Sequence, residues 1–198
     1  MNTPCTGGEL NVIEREQITR ARQGDDAAWV GLIRQHQEAV FRLAYLLLGD
    51  ADDAEDVTQE VFIRTYRALD RFDTMRPVRP WLLEITRNQC HNWGRSLRRH
   101  LAALQRWGQA MPAVGVDANE QAMERWKADA LWQAVRRLSM ADQEVIYLRC
   151  FLELSVDETA QVLGIAPGTV KSRNSRALAR LRAVVEREFP ELREEAVR

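Results

Sequence analysis

Apolar residues recur three and four positions apart along most of this chain, and strand-like alternation is almost absent. That spacing predicts helices throughout. A short helix is expected over 11–23, stopping at Gly24. A second is expected over Ala27–Leu48, capped by Asp25 or Asp26 and ended by Gly49. Its apolar face is Trp29, Leu32, Ile33, Val40, Phe41, Ala44 and Leu47. A third starts at Asp50 or Asp52 and runs to about Phe72, burying Ala54, Val57, Val61, Tyr66, Leu69 and Phe72. The segment DTMRPVRP reads as a loop. A fourth helix follows from Trp81 to His100, with Trp81, Leu82, Ile85, Trp93 and Leu97 inward.

The periodicity then fails over Gln109–Asn119, where Pro112 and Gly115 mark a linker. It resumes through Trp126, Leu131, Val135 and Leu138. Ser155 and Glu158 stand at capping-box spacing before an apolar run. Gly164 and Pro167 then punctuate a tight turn into a last helix, in which Val170, Ala177, Leu178 and Leu181 face inward. The expected fold is all-α: two small helical domains joined by a flexible linker, the C-terminal one a helix-turn-helix. The expected boundaries are a disordered 1–10, a domain over 11–105, a linker over 106–124, a domain over 125–190 and a frayed 191–198.

Charge sharpens this picture. The formal net charge of the 198 residues is only −1, but the charges are segregated. Asp50, Asp52, Asp53, Glu55, Asp56 and Glu60 lie in one stretch without a base. Between Arg76 and Arg106 stand seven arginines against Glu84 alone, a net of +6. The acids also suit a helix N-terminus for purely structural reasons. The last helix carries Lys171, Arg173, Arg176, Arg180 and Arg182 with no acid between them. A buried stripe, a tight turn and a basic outer face are what a recognition helix in a DNA major groove requires. Arg180 and Arg182 read equally well as ordinary solvated charges.

Cys5, Cys90 and Cys150 are widely spaced, and His36, His91 and His100 form no ligand pattern, so neither a metal site nor a cofactor is expected. Cys90 and Cys150 are read as buried, inert thiols. No apolar run is long enough to span a bilayer and no export signal is evident, so a cytoplasmic protein without membrane insertion is expected. No P-loop, nucleophile elbow or clustered triad appears, and no enzymatic activity is expected.

Three segments occur in a distinctive order: DAEDVTQEVFIRTYRALDRF, then RPWLLEITRNQCHNWGR, then LSMADQEVIYLRCFLELSVDETAQVLGIAPGTVKSRNSRALARL. Together they closely resemble a bacterial RNA polymerase sigma factor of the extracytoplasmic-function (ECF) group, over roughly 12–105 and 125–187. The resemblance implies two helical domains, called regions 2 and 4, and a function in promoter recognition without covalent chemistry. It implies that Asp56, Gln59 and Glu60 match a D-x-x-Q-E segment that meets a coiled coil on the largest subunit of core RNA polymerase. Their spacing places them on one helix face. The C-terminal domain would meet the flap of the second-largest subunit.

The loop and the helix after it would take the melted −10 element. Phe72, Asp73, Asn88 and Asn92 occupy the positions that read a flipped base, with Arg87 and Arg95 on phosphates. Trp81 and Trp93 fall on the apolar face and are read as core residues. The loop departs from the commoner pattern by carrying Met75, Pro77 and Pro80 and lacking a glycine. PGTVKSR matches the segment that reads the −35 element, with Thr169, Lys171, Ser172, Arg173, Ser175 and Arg176 toward DNA. Ser175 and Asn174 stand where larger and apolar residues are common. The resemblance also implies control by an anti-sigma factor that covers both domains, with the linker letting them part on polymerase. GTVKSR-type helices occur as well in response-regulator output domains, but the first half lacks the alternating strands of a receiver. A polymerase-binding decoy that reads no promoter is the other alternative.

Overall fold

A computed structural model describes residues 7–104 and 130–189, and every regular element among them is helical. The chain divides into two compact units, with the boundary at Arg98 inside a long helix. The expected linker 106–124 and the tail 191–198 lie outside the described residues, as do residues 1–6.

The first unit contains α1 (Gly7–Arg22), α2 (Asp26–Leu48), α3 (Ala51–Ala68), a short 3₁₀ turn (Leu69–Arg71) and α4 (Val78–Leu104). α1 begins at Gly7, four residues before the expected start. Asp25 caps α2 by accepting from the Ala28 amide at 3.0 Å. Gly49 ends that helix at φ 80°, a conformation glycine adopts without penalty, and its amide returns to Tyr45 O at 2.8 Å. Asp50 starts α3 in the same way, accepting from the Asp53 amide at 2.9 Å.

The core of this unit gathers Ile18 and Ala21 from α1, Leu32, Val40 and Ala44 from α2, and Val57, Val61 and Phe62 from α3. Val78 and Leu82 of α4 complete it. The expected α2 face is therefore correct, with Trp29, Ile33, Phe41 and Leu47 half-buried at its edge. Tyr66 is a correction: it is 52% exposed. Its ring meets Trp29 edge-on, with centroids 5.2 Å apart, and leaves its other side to solvent. α3 also tightens into the 3₁₀ turn before Phe72. α4 starts at Val78, earlier than expected, because Pro80 needs no N–H partner in a first helical turn.

The second unit contains α5 (residues 130–136), α6 (Met140–Ile146), a π-helical turn (Tyr147–Phe151), α7 (Val156–Leu163) and α8 (Pro167–Glu188). Val135, Val145, Ile146, Leu148, Leu154, Val170 and Ala177 are buried. Ser139 caps α6 through the Asp142 amide. The capping box of α7 is present in both directions: the Ser155 amide donates to Glu158 at 2.8 Å, and the Glu158 amide donates to Ser155 Oγ at 3.1 Å. Gly164, at φ 65°, turns the chain toward Pro167. Leu178 is a second correction, exposed at 41%, while Leu181 is half-buried. Cys150 is a third: it is exposed, whereas Cys90 is buried.

Candidate functional site

The described residues carry three surfaces of interest. On α3, Asp56 and Gln59 are exposed and Glu60 is half-buried. Glu60 accepts from Arg64 Nε at 2.6 Å, one turn along the same helix. An exposed pair at this spacing contributes about 0.5 kcal/mol, so a partner's cation can displace Arg64 at little cost. With the Gln89 amide oxygen turned toward it, Arg64 also donates to α4 at 3.1 and 3.2 Å. The same face continues into Ile63, 46% exposed, and Tyr66. Residues 56, 59, 63 and 66 follow helical i+3/i+4 spacing, so an acidic head and an apolar body share one stripe. Ile63 had no assigned role in the sequence pattern, and Tyr66 was assigned to the core. The signal for both was their spacing from Asp56 and Gln59.

The second surface joins the loop after the 3₁₀ turn to α4. Phe72 is in the core, 7% exposed, with its ring stacked on Trp81 at 4.2 Å and 24°. Its ring is therefore packed inside the unit at the start of the loop and does not face solvent. Asp73 is exposed, and its carboxylate accepts from the Met75 amide at 2.9 Å. Met75 is 68% exposed. Asn88 and Asn92 are exposed one turn apart on α4, and Arg87 is half-buried beside them. The side chain of Arg95 lies outside the described residues. Trp93 is half-buried against the core, as the apolar spacing required.

The third surface is the outer face of α8. Lys171, Ser172, Ser175 and Arg176 are exposed, while Thr169 and Arg173 are half-buried. Arg176 Nε donates to Ser172 O at 3.1 Å, and Ser172 Oγ donates to Thr169 O at 3.2 Å. Arg176 is thus laid along its own helix, with its terminal N–H groups left for another acceptor. Asn174 is half-buried, and among the described residues its buried Oδ1 meets no donor. Val170 and Ala177 on the opposite side are fully buried, which fixes which face of α8 points out. Arg180 is not simply solvated, because it is paired with Asp142 in α6 at 2.6 Å.

The sequence profile of Sigma-70 region 2 matches residues 32–100, and that of Sigma-70, region 4 matches residues 128–181. The chain is 32% identical over 177 residues to RNA polymerase sigma factor NccH of Alcaligenes xylosoxydans xylosoxydans, covering 88% of this chain and 95% of that one. It is 30% identical over 175 residues to ECF RNA polymerase sigma factor SigM of Mycobacterium tuberculosis, covering 88% and 86%. The structure of CnrH in complex with the cytosolic domain of CnrY is similar at a TM-score of 0.68 and 26% identity, covering 89% of this chain and 99% of that one.

Proposed function

The chain belongs to the ECF group of RNA polymerase sigma factors, and from that premise we propose which of its surfaces does what in transcription initiation. The observation that carries the reading is the presence of both sigma regions, in order, on one chain. The protein binds core RNA polymerase, directs it to promoters by their −35 and −10 elements, and helps open the DNA. It acts by binding, performs no covalent chemistry itself, and works in the cytoplasm, where polymerase and promoters are. Among the described residues no helix is long and apolar enough to cross a membrane.

Polymerase docks on the α3 stripe. Asp56, Gln59 and Glu60 supply acceptors for a basic coiled coil, and Ile63 and Tyr66 supply apolar area that solvent otherwise covers. Electrostatics steers the encounter, and the apolar part holds it. The −10 element meets the loop and α4. Asn88 and Asn92 donate to and accept from base edges, while Asp73 and Met75 bound the place of a flipped base. Arg87 and Arg95 hold phosphates, and Phe72 is the platform under the loop. The −35 element meets α8. Lys171 and Arg176 reach base edges or phosphates, with Thr169, Ser172 and Ser175 between them and Arg173 at the flank.

An anti-sigma protein is the natural antagonist. CnrH, which shares this fold, was solved bound to the cytosolic domain of another protein. Such a partner would silence the chain by occupying the surfaces that polymerase needs. Reconstitution tests the whole reading: purified core polymerase and this chain, on promoter DNA from the source genome, give specific transcripts only when both are present. A chain that binds polymerase yet directs no transcript would be a decoy.

A further inference from the structure

α1 supplies none of the residues assigned above to polymerase or DNA, yet its last turn reaches the base of the −10 loop. Arg22 Nε donates to the Leu69 carbonyl at 2.9 Å, and its Nη2 donates to the Phe72 carbonyl. These carbonyls lie where α3 has run out, at the two ends of the 3₁₀ turn. Leu69 O already accepts from the Phe72 amide at 3.1 Å, so Arg22 is its second donor, while the Phe72 carbonyl lies past the turn. A guanidinium fork can bridge two carbonyls at once, whereas an ammonium cannot do so with fixed geometry.

Phe72 is consequently gripped from two sides. Its ring is stacked on Trp81 of α4, and its carbonyl is held by Arg22 of α1. The loop begins at the next residue and bonds mainly to itself. Asp73 Oδ1 accepts from the Met75 amide at 2.9 Å, and Asp73 O accepts from the Arg76 amide at 3.0 Å. A small self-bonded turn mounted on one residue points wherever that residue is held. Met75 and Arg76, both exposed, stand at its tip.

We infer that Arg22 is a positioning residue for −10 recognition: by fixing the Phe72 carbonyl it aims Asp73, Met75 and Arg76 at the place of the flipped base. The inference rests on the −10 reading above. Arg22 itself touches no DNA. A recognition pocket that is held loosely loses discrimination between bases more than it loses phosphate contacts, because only base contacts depend on fine placement.

The test uses holoenzyme assembled from core polymerase and the full chain, as wild type, Arg22→Gln and Arg22→Lys. Binding is measured to fork-junction DNA with a melted −10 element, with each −10 base varied in turn, and to duplex DNA carrying only the −35 element. Arg22→Gln is expected to bind the best fork about tenfold more weakly. Its preference among −10 bases flattens, while its binding to polymerase and to −35 duplex stays as in wild type. Arg22→Lys, which keeps the charge but not the fork, falls between the two, and it carries the comparison alone if the glutamine variant does not fold. Full base discrimination in the variants would overturn the inference. So would an equal loss on polymerase and on −35 duplex, which would make Arg22 general scaffolding. A wild-type holoenzyme with no base preference on the forks would overturn the −10 reading itself, and the inference with it.

Discussion

Arg180 of α8 donates through Nη1 to Oδ2 of Asp142 in α6 at 2.6 Å, and the Asp142 side chain is only 5% exposed. The two residues are 38 positions apart, so the bond ties α8 to α6. A carboxylate this buried needs its partner, because removing one side leaves an unsatisfied charge. Arg180→Ala is expected to destabilise the chain by about 2 kcal/mol in urea unfolding. It should leave the salt dependence of promoter binding unchanged, since Arg180 is already occupied. Lys171→Ala should lower the slope of log affinity against log salt by about 1. Equal slopes for the two variants would place Arg180 on phosphate.

The surfaces proposed for docking and for reading lie on different helices, so the two functions should separate by mutation. A Gln59→Ala, Glu60→Ala double variant is expected to lose polymerase affinity first and to keep whatever DNA preference its holoenzyme shows. Arg176→Ala is expected to keep polymerase affinity and to lose about tenfold in binding to −35 DNA, the scale of one arginine base contact. Co-purification with polymerase and binding to labelled promoter fragments measure the two effects. Parallel loss of polymerase affinity in both variants would contradict the division.

The thiols should differ in reactivity. Burial pushes the Cys90 thiol up to about 12. Burial also raises Cys150, but Arg149 beside it works in the opposite direction and the residue is exposed. Alkylation requires both thiolate and access. At about pH 8 Cys150 is expected to label well before Cys90, and denaturant should abolish the difference. Peptide mass spectrometry after timed quenching measures the order.

The α1–α2 junction should weaken in acid. The Ala28 amide, and then Arg20, hold the Asp25 carboxyl below the usual aspartate range. A folded-state value below the unfolded one stabilises fully above the unfolded value and is lost as pH falls through the folded one. Asp25→Asn keeps a cap but not the charge. The wild-type advantage over this variant in urea midpoint is expected to be fully present above the ordinary aspartate range and to be lost as pH falls through the lowered folded-state value.

Much of the fold was legible because its punctuation is local. Asp25, Gly49, Asp50, Ser155 and Gly164 each act within a few residues of themselves, so spacing alone finds them. Tyr66 and Leu178 were misplaced because both sit at the edge of an apolar stripe, where the neighbouring helix decides which side is covered. His36 was equally hidden. It is buried, with Nε2 lying 3.1 Å from the Glu14 carboxylate outside hydrogen-bond geometry, and no polar residue inside an apolar stripe announces that. The π-helical turn at Tyr147–Phe151 is a matter of tertiary packing and leaves no period of its own. The candidate site divides similarly. Asp56, Gln59, Lys171 and Arg176 were legible as exposed members of a helical face. The partners of Phe72, Arg22 and Trp81, come from α1 and α4, which no local pattern connects to the loop.

On the proposed function, this one chain supplies both promoter-reading surfaces to polymerase. Transcription in vitro with purified core polymerase, mapped across genomic DNA of the source organism, tests it most directly. Discrete start sites are expected that require the chain and share two upstream sequence blocks at near-constant spacing. Arg176→Ala should erode the distal block and Asn88→Ala the proximal one. Start sites with only one shared block, or none that depend on the chain, would contradict it.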